Sequence, residues 1–142
     1  MAEVSKRFFI KARDFVRAGE GAIQVQGLLK SIGYGADLIR RISICAYEAE
    51  MNVVMHGGDG ELLLMIEPHR IVLEVNDHGP GIQDIELALQ EGYSTATPEH
   101  REMGFGAGMG LPNIKKNADS LDIQSGNGEG TCLTIGFRLD AG

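Results

Sequence analysis

The segment EVNDHGPGI, residues 74–82, places an aspartate and two glycines directly after an apolar run of strand length. A second glycine cluster, GFGAGMGL, follows at residues 104–111. Glycine loses more conformational freedom on folding than any other residue, so two such clusters indicate backbone that must approach something closely. A phosphate chain fits this requirement, because unshielded backbone N–H groups can point at its oxygens.

Neither of the two common phosphate-binding motifs explains these clusters. A Walker A loop would read G-x-x-x-x-G-K-[ST], and the sequence contains no such string. A dinucleotide fingerprint would follow the first strand of a βαβ unit, whereas these glycines follow the third predicted strand. Taken singly, the first cluster is equally compatible with an ordinary turn, and the second with a flexible loop.

The composition is typical of one soluble globular domain. The chain has 142 residues, enough for one core and too few for two ordinary domains. Its net charge of −7 argues against a nucleic-acid partner, which would need a basic face. No apolar run reaches the ~18–20 residues of a membrane span, and the first residues lack the pattern of a signal peptide. We therefore predict a cytoplasmic protein without membrane contact, in which Cys45 and Cys132 are buried thiols.

The periodicity of apolar residues predicts an α+β domain. Asp14 is the expected N-cap of the first helix, and residues 93–108 are expected to form a mobile loop. The order β-α-α-β-β-α-α-β-β predicts helices on one face of a mixed, mostly antiparallel sheet. The predicted strands span residues 4–11, 61–68, 70–77, 120–127 and 131–139. The predicted helices span residues 14–32, 37–56, 82–92 and 109–118.

The second predicted helix carries the first chemical signal. Asn52 lies about 60° from the centre of its apolar stripe, and Glu48 lies about 100° away on the same side. The two side chains are neighbours one turn apart. They are either a structural amide beside a surface carboxylate, or a pair that holds a metal ion and a water or hydroxyl. The apolar stripe consists of Leu38, Ile42, Cys45, Ala49 and Val53.

Four motifs in a fixed order narrow these alternatives. They are EAEMNVVMHG (48–57), DHGPGI (77–82), GFGAGMGL (104–111) and GEGT (128–131). In this order they resemble the N box, the two glycine boxes and the terminal G-x-G-T of the ATPase superfamily named for gyrase, a heat-shock chaperone, histidine kinases and a mismatch-repair protein (GHKL). The resemblance covers about residues 34–139.

The resemblance implies a fold and a subfamily. The fold would be a Bergerat-type two-layer α/β sandwich, formed by residues 1–142 as a single domain. Within the superfamily the chain is most similar to the anti-sigma-factor-type serine/threonine kinases. DHGPGIQDIE, EGYST and GAGMGLPNIKK resemble the stressosome switch kinases in particular, while TPEHREMGFG resembles the anti-sigma kinases proper.

The resemblance also implies roles for individual residues. Glu48 corresponds to the general base that deprotonates an acceptor hydroxyl, and Asn52 to the magnesium ligand. Asp77 corresponds to the aspartate that accepts a hydrogen bond from the adenine amino group. The remaining nucleotide-binding positions are Gly79, Gly81 and Thr131 at the base and sugar, Gly106, Gly108, Gly110 and Leu111 at the phosphates, and Arg101 at the γ-phosphate.

The implied activity is an ATP- and Mg²⁺-dependent serine/threonine protein kinase that regulates transcription by partner switching. Its substrate would be a small STAS-domain antagonist protein. A sigma factor, a phosphatase and a second copy of the chain are further partners that the resemblance allows. The alternative is a binding module that uses ATP only to sequester a sigma factor or to activate a phosphatase. A third, weaker alternative is the ATP-binding half of a histidine-kinase system.

Overall fold

The structure is a computed structural model that describes residues 4–56, 58–79, 110–126 and 130–139. The helix predicted at residues 82–92 and the loop predicted at 93–108 lie outside the described residues.

The described part of the chain contains five strands and three helices in the order β1-α1-α2-β2-β3-α3-β4-β5. Every strand was predicted, and so were these three helices, with ends that agree within two residues except at the start of α1. The elements are β1 Val4–Ile10, α1 Glu20–Ile32, α2 Ala36–His56, β2 Gly60–Ile66, β3 Arg70–Asp77, α3 Gly110–Asn117, β4 Ser120–Gly126 and β5 Gly130–Arg138.

The five strands form one open sheet in the order β1-β2-β3-β5-β4, with β3 at its centre. Each neighbouring pair is antiparallel, so no parallel pair occurs among the described strands. Two of the pairs are local hairpins, β2–β3 and β4–β5, as their spacing predicts. The predicted α+β class, with helices on one face of a mostly antiparallel sheet, is confirmed.

One hydrophobic core lies between the sheet and the three helices. Burial alternates along β2, where Leu62 and Leu64 are buried while Leu63 between them is half-buried, because successive side chains point to opposite faces of a sheet. Helix α2 packs against both α1 and α3 and so forms the middle of the helical layer. The predicted stripe on α2 is confirmed, since four of its members are buried and Leu38 packs against the core from its edge.

The first helix begins later than the sequence predicts. Asp14 does not cap it, and its carboxylate instead accepts a hydrogen bond from the backbone N–H of Arg17, at 3.2 Å, in the preceding loop. The helix starts at Glu20, after Gly19 adopts a left-handed conformation with φ of 96°. The capping residue Asp14 is therefore not used, because a residue far away in the sequence determines where α1 begins.

That residue is Glu50 on α2. Its carboxylate accepts hydrogen bonds from the backbone N–H groups of Gly19 (3.0 Å), Gly21 (3.3 Å) and Ala22 (2.9 Å). The first N–H groups of a helix have no partner inside the helix, and they form the positive end of its dipole. A carboxylate from a neighbouring helix satisfies both requirements at once.

Glu50 is also the only buried polar or charged side chain among the described residues, with 4% of its surface exposed. A Cβ on Gly21 would lie 3.1 Å from its Oε1, so any larger residue there would press against the carboxylate. Burial of a charge is costly unless hydrogen bonds compensate for the lost water. The three N–H groups provide that compensation and fix α1 against α2.

We predict that Glu50→Ala lowers the free energy of unfolding by roughly 2–4 kcal/mol, because three buried N–H groups lose a charged acceptor. Glu50→Gln, which keeps one acceptor oxygen, should lose less. Urea denaturation followed by circular dichroism measures both. The matched control is Glu20→Ala, which removes an exposed carboxylate from the first turn of the same helix and should cost less than about 1 kcal/mol. Equal losses for Glu50→Ala and Glu20→Ala would contradict the prediction.

Candidate nucleotide-binding and catalytic site

The end of β3 brings together three residues of the predicted adenine site. Asp77 is the cross-strand partner of Thr131 on β5. Its Oδ1 accepts a hydrogen bond from the backbone N–H of Gly79 at 2.8 Å, and the N–H of Thr131 donates to the same carboxylate. The Thr131 hydroxyl lies 3.0 Å from the hydroxyl of Ser125 on β4. Two sequence motifs separated by about fifty residues thus meet through ordinary strand pairing.

Glycines on both neighbouring strands flank the end of β3. Gly130 has φ of 82°, and a Cβ there would collide with the backbone carbonyl of Asp77. Gly60 is the partner of Asp77 on β2, and a Cβ there would collide with the carbonyl of Asn76. The G-x-G-T motif therefore contains a glycine that close packing of the backbone requires. The matching requirement at Gly60 was not predicted, although its place at the start of a strand is a usable signal.

The surroundings of Asp77 shift the pKa of its carboxyl in two opposite directions. Partial burial raises the pKa of its carboxyl above the ordinary value, because water no longer fully solvates the ionised form. The N–H of Gly79, the neighbouring His78 and the N–H of Thr131 oppose this shift but do not cancel it. The fold therefore holds, at some cost, a carboxylate that can accept a further hydrogen bond from a ligand.

The predicted base and metal ligand lie on α2, where both side chains are half-buried. Helix α3 approaches each of them. A Cβ on Gly110, the first residue of α3, would lie 3.2 Å from Oδ1 of Asn52. One turn further along α3, the side-chain amide of Asn113 donates a hydrogen bond to the Glu48 carboxylate at 2.7 Å. The helix that follows the second glycine cluster is therefore in contact with both candidate residues.

Asn113 is a site residue that the sequence reasoning did not identify. The backbone carbonyl of Asn113 accepts a hydrogen bond at 2.8 Å from the side chain of Asn117, one turn further along α3. The contact with Glu48 joins residues 65 positions apart, so no local pattern reveals it.

Four predicted positions lie outside the described residues, and a fifth, Leu111, lies at the start of α3. Gly81, Arg101, Gly106 and Gly108 lie outside the described residues, and their roles stay predictions. The side chain of Leu111 is buried in the core, which leaves its backbone for the predicted role at the phosphates.

The donor chemistry of the site fits magnesium. No group of three or more His, Cys, Asp or Glu side chains that could hold a metal ion occurs within residues 4–56, 58–79, 110–126 and 130–139. Magnesium does not need such a group, since it keeps several waters and binds nucleotide phosphates together with one or two protein oxygens. The amide oxygen of Asn52, beside the start of α3, is a protein oxygen of this kind.

The two cysteines differ from one another. Cys45 is fully buried and donates to the backbone carbonyl of Ile114 at 3.6 Å. Its burial raises the pKa of the thiol to about 12, which makes it structural rather than reactive. Cys132 is only half-buried, so the prediction of two buried thiols is wrong for it, because its side chain points to the sheet face opposite the helices. Over the described residues, the helices are too short or too polar to cross a membrane.

Residues 20–137 match the family described as histidine kinase-like ATPase domain, and the chain belongs to this GHKL-type family. Membership implies that the domain binds ATP. The matched range contains the Glu48–Asn113 contact and the Asp77–Thr131 pair, so both parts of the candidate site lie within the family's domain.

The sequence of this chain is moderately similar to a serine/threonine kinase and to an anti-sigma factor. The serine/threonine-protein kinase RsbT of Bacillus subtilis (strain 168) is 29% identical over 110 residues, which cover 75% of this chain and 77% of the relative. The anti-sigma F factor of Thermoanaerobacter sp. (strain X514) is 34% identical over 102 residues, or 68% of each chain. These relatives support a regulatory, partner-switching type of kinase.

Solved structures agree on the fold. The histidine kinase domain of the blue-light activated kinase EL346 from Erythrobacter litoralis superposes with a TM-score of 0.53 at 16% identity, covering 86% of this chain and 61% of that one. The mycobacterial sensor histidine kinase MprB gives a TM-score of 0.52 at 13% identity, covering 95% and 97%. At such low identity the likeness concerns the fold alone.

We predict that Asp77→Asn makes the protein without nucleotide more stable at pH 7. The folded-state pKa of Asp77 is raised, so the fold binds more protons than the unfolded chain, and stability falls as pH rises from the ordinary value of 3.8 through the folded pKa. The amide removes this cost. The gain over the parent should shrink below pH 3.8, where both side chains are neutral.

Thermal unfolding of the parent and the variant across pH 3 to 7 tests this expectation. The control is Asp122→Asn, which makes the same change at an exposed position on β4. A destabilised Asp77→Asn at pH 7 with parental stability at pH 3 would show that ionised Asp77 stabilises the fold.

Proposed function

We propose that this chain is an ATP- and magnesium-dependent serine/threonine protein kinase of the anti-sigma or switch type. Its substrate is a small STAS-domain antagonist protein in a partner-switching pathway. The observation that carries the proposal is the hydrogen bond from Asn113 to Glu48. A module that only binds nucleotide needs Asn52 and Asp77, but it does not need a carboxylate held in one orientation beside them.

The kinase reading assigns Glu48 the role of general base. Its carboxylate accepts the proton of a serine or threonine hydroxyl as that oxygen attacks the γ-phosphorus of ATP. The new O–P bond forms while the bond from the γ-phosphorus to the β,γ-bridging oxygen breaks, and ADP leaves. When bound, magnesium neutralises charge on the phosphates, and Asn52 is the residue that would hold it. Positioning by α2 and α3 is the main contribution of the protein.

In the proposed function, Asp77 at the adenine end of the site selects ATP over GTP. Ionised Asp77 can only accept hydrogen bonds, and adenine presents an amino group as donor at its 6-position. Guanine presents a carbonyl there, so GTP would set an acceptor against an acceptor. Loss of one such buried contact costs on the order of 1–3 kcal/mol. Asp77 thus lowers the stability of the free protein while it contributes to recognition of ATP.

A second candidate function is supported by the relatives named anti-sigma F factor. In this alternative, bound ATP holds a conformation that sequesters a sigma factor or activates a phosphatase, and little phosphate is transferred. Both functions need Asn52 and Asp77. They differ on Glu48, whose basicity matters only to a kinase.

We expect substitutions of Asn52 and Glu48 to separate binding from chemistry. Asn52→Ala should lose magnesium-dependent affinity for ATP, because it removes a ligand. Glu48→Gln keeps shape and hydrogen bonding but cannot accept the proton, so phosphate transfer should slow by ~10²–10⁴-fold while ATP binding stays near the parental value. Calorimetry measures the affinities, and mass spectrometry measures phosphorylation of a cognate STAS-domain protein.

Each outcome of that experiment decides between the readings. Transfer at the parental rate by Glu48→Gln would exclude Glu48 as the base. A parent protein that binds ATP and its STAS-domain partner without phosphorylating it would favour the binding module over the kinase.

We also predict that Asn113→Ala lowers kcat by roughly 5- to 30-fold, because the base loses the 2.7 Å hydrogen bond that orients it. The KM for ATP should stay unchanged, because Asn113 orients the base rather than the nucleotide. Asn113→Asp, which has the same shape but no N–H to donate, should lose at least as much activity. The control is Lys115→Ala, an exposed position on the same helix.

The double variant Glu48→Gln with Asn113→Ala distinguishes positioning from general damage. If Asn113 acts through Glu48, the double variant should be no slower than Glu48→Gln alone. Multiplicative losses in kcat would instead show that Asn113 supports the structure independently of the base.

A further inference from the structure

A groove of about 900 Å³ crosses the outer surface of the helical layer, away from the sheet. Helix α2 forms its floor, while α1 and α3 form its two walls. The apolar part of its lining includes Tyr34, Ile44 and Tyr47, and Tyr47 leaves 43% of its surface exposed. The mixed apolar and polar lining, which extends along three helices, is compatible with an extended polypeptide segment.

The candidate catalytic residue, Glu48, lies at one end of the groove. Glu48 and Asn113 both line it, so the carboxylate that would accept the proton is reached from the groove. An acceptor serine or threonine must place its hydroxyl within hydrogen-bond distance of that carboxylate. The polypeptide on either side of the acceptor residue must then leave along an accessible path, and the groove provides one.

The opposite end of the groove is basic. Lys30 from α1 and Arg40 from α2 line it there. Arg40 forms an exposed ion pair with Asp37 at 3.0 Å, whereas no carboxylate of the described residues forms an ion pair with Lys30. These three groups leave one positive charge at this end, on a chain whose net charge is −7. A local positive charge on an acidic protein favours an acidic group in whatever binds there.

The floor between the two ends offers an unused polar group. The Ser43 hydroxyl is buried in the groove lining and has no hydrogen-bond partner among the described residues. Buried polar groups normally find partners, and this oxygen has almost no exposed surface, so a peptide backbone on the floor would reach it only after the side chain rotates outward.

We infer that this groove binds the acceptor segment of the protein substrate, and that the segment carries an acidic residue three to five positions from the phosphorylated serine or threonine. Arg40 and Glu48 are eight residues apart on α2, which corresponds to about 12 Å at 1.5 Å per residue. An extended segment covers that distance in about four residues at ~3.3 Å each. The inference rests on the proposed kinase function and adds its substrate specificity.

Binding of peptide mixtures to the full chain tests the groove without requiring phosphate transfer. Each fluorescein-labelled mixture has one fixed threonine, one fixed aspartate at a chosen distance from it in either direction, and degenerate residues elsewhere. Fluorescence anisotropy should show that mixtures with the aspartate three to five positions away bind roughly two- to fivefold more tightly than those with it adjacent or eight positions away.

Charge reversal supplies the matched variants. Lys30→Glu combined with Arg40→Glu should abolish the preference for aspartate, and mixtures with lysine at the same distance should then bind more tightly. Lys11→Glu reverses an exposed charge outside the groove and should leave the preference unchanged. The same double variant should raise the KM for a STAS-domain substrate several-fold with little change in kcat.

Three results would overturn the inference. They are the absence of peptide binding, affinity that does not depend on the position of aspartate, and a preference that survives the double reversal. If the double reversal instead changes the sedimentation coefficient of the protein alone, the groove is a contact between copies of this chain. Failure of the parent to phosphorylate any STAS-domain protein would reject the kinase function separately, because the peptide assay measures binding only.

Discussion

The arrangement of the helical layer depends on one buried carboxylate. Glu50 on α2 caps the start of α1. The three backbone N–H groups that donate to its carboxylate have no other hydrogen-bond partner among the described residues. The contact sets where α1 begins and holds it beside α2. Because α2 also carries Glu48 and Asn52, the orientation of the candidate site is tied to the same helix that Glu50 anchors.

Helix α3 completes the arrangement from the other side. Its first residue lies against Asn52, and Asn113 one turn later holds Glu48. The second glycine cluster leads directly into this helix, so in the proposed function the loop that binds the phosphates and the residue that orients the base belong to one continuous segment. Any displacement of α3 along its axis would change both contacts together, since a short helix moves as a rigid unit.

The sequence was sufficient for those features that follow from local periodicity. The strands and the stripe on α2 follow from alternation and helical phase, whereas only the family resemblance assigned Asp77 and Thr131 to one site, where the structure pairs them. The cap at Glu50 and the contact at Asn113 could not be predicted, because each joins positions about thirty or more residues apart. Asp14 shows the limit of local rules, since a suitable capping residue was present and a distant carboxylate was used instead.

The spacing of Glu48, Glu50 and Asn52 has a consequence for insertions and deletions. Successive members of this trio are two residues apart on α2, so each step turns by about 200° and sends Glu50 to the side opposite its two neighbours. One residue added between Glu48 and Asn52 would turn everything beyond it by about 100°. Added before Glu50, it would turn the cap away from α1 while Glu48 still faced α3. Added after Glu50, it would turn Asn52 away from the start of α3. The length of the stretch EAEMN is therefore constrained as strictly as its composition, and sequences that share this architecture should align across it without a gap.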